Sequence, residues 1–171
     1  MFTNTQIDIE TLPKVSDIAL IPVEKSYIKI VLFNLCVIFI SIIGTLFGLK
    51  FLKEDSKFDS IATTLIIGLI VVFIVQFVVL VLGFKNRKYA LREKDIIYTK
   101  GLLNFSTTIL PFNRVQHVEI SRSFLARKLN LATLEIYTAG ESGSDLKIGG
   151  LPEDVAESIN EYLTTMLDDR V

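Results

Sequence analysis

Ile30–Leu49 reads IVLFNLCVIFISIIGTLFGL and Ile61–Phe84 reads IATTLIIGLIVVFIVQFVVLVLGF; neither stretch holds a charged residue. A helix rises about 1.5 Å per residue, so about 20 residues cross a hydrocarbon layer about 30 Å thick. Both stretches are long enough, and the second has length to spare for tilt. The chain has 171 residues, half of them apolar. A fold of that size lacks the material to bury two such helices on all sides. The reading is therefore a membrane α-helical hairpin within residues 27–84, with spans at about 30–49 and 61–84.

Working outward, the first span does not read as a cleaved signal. Its apolar run is too long, the tail before it mixes in Asp8, Glu10, Asp17 and Glu24, and no small-residue cleavage site follows. The connection Lys50–Ser60 is too short for a domain. Lys85, Arg87, Lys88, Arg92 and Lys94 crowd the exit of the second span, and Lys14, Lys25 and Lys29 precede the first. The connection carries Lys50, Lys53 and Lys57 diluted by Glu54, Asp55 and Asp59. The excess of cations outside the connection predicts both termini in the cytoplasm of a multi-pass cell-membrane protein. Gly44 with Gly48, and Thr64 with Gly68, have the spacing that lets helix backbones approach in lipid, so they are expected to pack the spans together. Gln76 is the strongly polar side chain deep in the second span, either bonded to a neighbouring helix or tolerated as a neutral amide. Residues 1–26 form a polar tail without periodicity, free to lie on the membrane or on the domain.

The remainder, residues 85–171, reads as α+β. Short stretches bounded by Gly, Pro, Asn and Ser predict strands at Arg87–Leu91, Asp95–Lys100, Leu102–Leu110, Val115–Ser121, Thr133–Thr138 and Leu146–Ile148. In the fourth, Val115, His117 and Glu119 are expected on one face, against Gln116, Val118 and Ile120. Pro152, Glu153 and Asp154 suit a first helical turn. Val155, Ile159, Tyr162, Leu163, Met166 and Leu167 then share a face, predicting an amphipathic helix that packs on the sheet or plugs a barrel end.

Two stretches carry a family resemblance. Leu110-Pro111-Phe112-Asn113-Arg114-Val115-Gln116-His117-Val118 resembles the P-[YF]-x-R-[IV]-Q-H-V signature of bacterial PH-like membrane proteins of the YdbS type. Arg127 to Gly140, with Leu131, Ala132, Thr138 and Ala139, resembles that family's R-x-[FL]-G-L-A-x-[LV]-x-[IV]-x-T-A-G run. Gly150-Leu151-Pro152 before a helix containing Ala156 is similar to its ending. Asn130 stands where glycine is usual; asparagine also tolerates a left-handed backbone. The resemblance implies a PH-like bent β-barrel capped by the C-terminal helix. It implies no enzymatic activity, and a membrane-tethered interaction module working beside another membrane protein, such as a larger relative with several such domains.

The residues themselves offer little chemistry. Cys36 is the sole cysteine and lies in a span, and His117 is the sole histidine, so neither a disulfide nor a multi-Cys or multi-His metal site is expected. There is no phosphate-cradling Gly loop, G-x-S-x-G elbow or H-E-x-x-H. No cofactor is expected, and the net charge of −1 argues against nucleic acid. Arg114 and Gln116 are read as organising the turn and strand, and His117 as a structural strand residue. From Lys85 to Lys128 there are ten basic and three acidic residues; from Leu129 onward there are two and nine. The basic half follows the second span and so lies near lipid. Arg122, Arg127 and Lys128 flank Phe124 and Leu125, which either meet a partner or lipid or pack as a short helical turn. The functional expectation is a membrane-anchored, non-enzymatic scaffold or adaptor that binds another membrane or envelope protein. The alternative is a module engaging anionic lipid at the inner leaflet. The bilayer is an expected partner in either case, and the G-x-x-x-G face and the barrel edges are candidate sites of homo-oligomerisation.

Overall fold

The computed structural model describes residues 18–52, 56–138 and 145–168. Two long helices, α1 (Tyr27–Leu52) and α2 (Ser56–Phe84), form the membrane anchor. Each runs past its uncharged stretch, because a helix continues through flanking polar residues until its backbone bonds end. Phe39 meets Phe73 edge to face at 5.2 Å, and Lys50 reaches Asp59 at 3.3 Å near the turn. Most other large side chains of the pair, such as Ile38, Ile40, Ile67 and Val72, point outward, as lipid-facing residues do.

Gly44, Gly48 and Gly68 do not make the contact between the spans. A Cβ added to Gly44, Gly48 or Gly68 would meet nothing within 4 Å. The helices meet instead through Leu35, Phe39, Ala62 and Phe73. Small-residue spacing shows that a helix can be approached closely but does not say by which neighbour.

The domain is a pair of antiparallel sheets closed by α4 (Glu153–Asp168). One sheet has the order β1 (Ile21–Pro22), β2 (Lys88–Leu91), β3 (Asp95–Lys100), β4 (Ser106–Pro111). The other has β5 (Val115–Ser121), β6 (Leu131–Thr138), β7 (Leu146–Pro152). The part of the N-terminal tail that is described therefore belongs to the domain: Ile21 pairs with Tyr89 and Pro22 with Lys88. The Val23 N–H donates to the Arg87 carbonyl, and the Glu24 N–H donates to the Gly150 carbonyl at 2.9 Å. One short segment thus joins the open edges of both sheets. The membrane hairpin is an insertion between β1 and β2.

Inward residues of both sheets, among them Ile96, Tyr98, Leu134, Ile136, Ile148 and Leu151, form one core with Ala156, Ile159 and Leu163 of α4. Apolar burial on this scale is what holds two small sheets and a helix together. β5 departs from simple alternation. A register shift between Val115 and His117 leaves Val115 buried while Gln116 and His117 both face solvent. A bulge sets two residues against one, so the strand changes face partway along. β4 starts at Ser106 rather than Leu102, because Gly101 at φ +107 turns the chain out of the sheet.

The strands give the domain two ends. β2 leaves the anchor at Lys88 and turns at Arg92–Asp95, where the Arg92 side chain is held by Asp95; β3 returns to the anchor. There the Asn86 side-chain amide donates to the Gly101 carbonyl at 2.8 Å. The β3–β4 loop, the base of α1 and the short helix α3 (Phe124–Lys128) make the membrane end. The β2–β3 turn, the 3-10 turn Phe112–Arg114 and the last turns of α4 make the distal end.

Candidate functional site

The membrane end is organised by Tyr27, the first residue of α1. Its ring lies flat against the backbone of Gly149 and Gly150, with the Arg87 guanidinium 5.9 Å from the ring centroid and Phe84 at 6.4 Å. A Cβ on Gly150 would stand 2.5 Å from the Tyr27 Cγ, and Gly150 has φ +83. Only glycine permits both that backbone and that approach. One aromatic ring thus couples α1 and the end of α2 to β7.

Beside it, Ile30 of α1 packs on Ala126 and Leu131, with Leu125 and Leu129 adjoining. Ser123 caps α3, its hydroxyl accepting from the Ala126 N–H. Asn130 takes the left-handed backbone, φ +52, that the family-like run reserves for glycine, and its carbonyl accepts from the Glu153 N–H that opens α4. Leu131 and Ala132 are core residues.

The five residues expected to contact lipid or a partner separate into different environments. Arg122 is an ion-pair clamp, 2.5 Å from Glu153 and 2.6 Å from Glu157, holding the start of α4. Leu125 packs between α3 and α1. Phe124 remains 63 % exposed, with the Lys128 ammonium 4.7 Å over its ring. Arg127 and Lys128 are exposed and enter no ion pair among the described residues.

The outer face of the second sheet is a polar network. His117 rests on Tyr137 at 5.7 Å; the Tyr137 hydroxyl donates to Glu119; Glu135 accepts from Ser121 and Lys147. Desolvation first, then the Glu119 charge, raises the Tyr137 phenol above its ordinary value, so it stays neutral as a donor. His117 therefore sits on the strand surface with an aromatic neighbour. Thr138 is tied to Asp145 through its N–H and hydroxyl, closing the β6–β7 connection. Ala139 and Gly140 lie outside the described residues.

At the distal end Pro111 leads into the 3-10 turn, and Phe112 is buried against Tyr162 at 6.1 Å. Of the P-F-x-R-V-Q-H-V run, Phe112 and Val115 are buried in the core and Val118 packs against it. Arg114 and Gln116, expected to organise the turn and strand, are both exposed and make no side-chain hydrogen bond among the described residues. At the turn just before Arg114 opens a cleft of about 410 Å³ lined by Glu93, Lys94, Asp95, Pro111, Phe112, Asn113 and Met166. Sequence reading passed over Asn113 and this cleft, because nothing in the strand pattern says which turns meet. Gln76 faces outward on α2 beside Val72, Val75 and Val79 and makes no hydrogen bond among the described residues. Among those residues no group of three His, Cys, Asp or Glu side chains is placed to hold a metal ion.

A four-stranded and a three-stranded sheet closed by a C-terminal helix, carrying two membrane-length helices, define a membrane-anchored PH-like protein. The family model described as Bacterial PH domain matches residues 30–167, and the chain belongs to that family. It is 40 % identical over 52 residues to the UPF0699 transmembrane protein YdbS of Bacillus subtilis (strain 168). That match covers 30 % of this chain and 33 % of the relative. No solved structure matches. The family is one of PH-like membrane proteins and not a known class of enzyme.

Proposed function

We propose that this chain is a non-enzymatic adaptor whose PH-like domain, on the cytoplasmic side of the cell membrane, binds another membrane or envelope protein at its distal end. The observation that carries the reading is the state of Arg114 and Gln116. They belong to the motif that marks the family, yet both are exposed and neither side chain makes a hydrogen bond or ion pair among the described residues. Exposed polar groups without an internal task are suited to a partner, and the adjoining cleft sets Asn113 and Lys94 beside apolar Met166. The membrane end is already occupied by the anchor. Orientation is supported by the cations Lys85, Arg87, Lys88, Arg92 and Lys94 after α2, which outnumber Lys50, Lys53 and Lys57 of the connection. Gln76 and the outward glycines offer a face for a second copy.

A second reading, binding of anionic lipid at the inner leaflet, is favoured by Arg127, Lys128 and Phe124 at the membrane end. The test between them uses a photo-crosslinking residue at Asn113, in full-length protein at native expression in its own membrane. The adaptor reading predicts a discrete protein adduct that Arg114→Glu removes while Arg127→Ala with Lys128→Ala leaves intact. An adduct with lipid alone, or none, contradicts it.

A further inference from the structure

We propose that the β3–β4 loop, Gly101–Phe105, is a separate membrane-seating element whose Leu102, Leu103 and Phe105 lie in the interfacial layer of the leaflet from which α2 emerges. Leu103 is 85 % exposed and Phe105 60 % exposed, an unusual state for two large apolar residues in one short loop on a domain surface facing water. Their position explains it. Gly83 is the penultimate residue of α2, and a Cβ there would stand 3.2 Å from the Leu102 Cβ, so the loop lies level with the end of a membrane span. The apolar surface of α2 continues directly into the loop, which identifies the bilayer as the occupant.

Two further features fit that occupant. The loop is held at fixed height: Asn86 donates to the Gly101 carbonyl, and Gly101 turns so tightly that any side chain there would overlap the Asn104 carbonyl. The segment between Asp95 and Glu119 contains no carboxylate, while Lys85 and Lys100 are exposed on either side of the loop. Apolar tips flanked by cations and free of acids are the composition of a surface-immersed segment. Phe124 is exposed on α3, whose Leu125 and Ala126 pack with Ile30 of α1, the other helix of the hairpin. The domain then rests on lipid on both sides of the hairpin base, which fixes its tilt. This inference goes beyond the adaptor reading and does not need it. It also differs from binding through Arg127 and Lys128, because an apolar seat persists at high salt.

The test uses full-length protein with Cys36→Ser, reconstituted in vesicles of phosphatidylethanolamine and phosphatidylglycerol. An environment-sensitive fluorophore is attached at Leu103→Cys or, as the distal reference, at Asn113→Cys. An interfacial depth of about 5–10 Å predicts that lipids spin-labelled high on the acyl chain quench position 103 at least about twofold more than position 113. Aqueous iodide is expected to quench position 103 less than position 113, unchanged in high salt. Equal iodide access at the two positions overturns the proposal. So does shielding from iodide without lipid quenching, which means that protein covers the loop.

Discussion

Replacing Gly150 by alanine is expected to destabilise the protein by about 3 kcal/mol, and about half of that cost should depend on Tyr27. Two terms contribute. A non-glycine residue at φ +83 costs about 1–2 kcal/mol, because Cβ crowds the carbonyl. The new methyl also meets the Tyr27 ring, with Cβ, Cγ and Cδ1 at 2.5–2.7 Å, so α1 must shift away from β7. Thermal unfolding of single and double variants separates the terms. With Tyr27→Ala in place, the further cost of Gly150→Ala should fall to about 1–2 kcal/mol, the backbone term alone. Additive costs would show that Tyr27 does not rest on β7.

Leu134→Ala should cost about 2–5 kcal/mol, the range for emptying a fully buried leucine site. Leu134 is 0 % exposed on the central strand of the second sheet, between Ile120 and Ile148 in register, and within the cluster that receives α4. Close-packed neighbours on three elements cannot collapse into the space without disturbing the sheet or the helix. Denaturant unfolding of the detergent-solubilised protein measures it. A cost below about 1 kcal/mol, as an exposed site would give, contradicts the placement of Leu134 in a two-sheet core.

Much of this architecture is legible in the residues, and the departures have physical causes. Asp95–Lys100 and Val115–Ser121 read as strands because turn residues bound them closely, and both are strands with those limits. The C-terminal helix is legible because its apolar residues repeat at helical spacing against one core. Leu102–Phe105 is not, because an apolar run carries the same signal whether a core or a bilayer receives it. β1 is two residues long and owes its place to pairing with Lys88 and Tyr89, residues far off in sequence, so no local pattern announces it. The bulge in β5 separates Val115 from His117, which were expected on one face, since alternation assumes an unbroken register.

The candidate site was legible to a different degree. Phe124, Arg127 and Lys128 were found by charge and apolarity together, and they do lie exposed at the membrane end. Arg122 has the same composition around it but faces Glu153 and Glu157, carboxylates more than thirty positions later. Tyr27 escaped notice because its partners, Gly149 and Gly150, read only as a strand end. Local sequence shows which residues are fit for a contact; the chain's return path decides which contact is made.

The membrane hairpin is built into the domain, with residues before α1 and after α2 paired in one sheet. The direct measurement is oxidative crosslinking of Pro22→Cys with Lys88→Cys, register partners of β1 and β2, in full-length Cys36→Ser protein in membranes. Paired antiparallel strands hold such residues within disulfide reach. A rapid intramolecular disulfide between positions 22 and 88 is expected, found by mass analysis of the digested chain. No linkage, or linkage only between two chains, would contradict it.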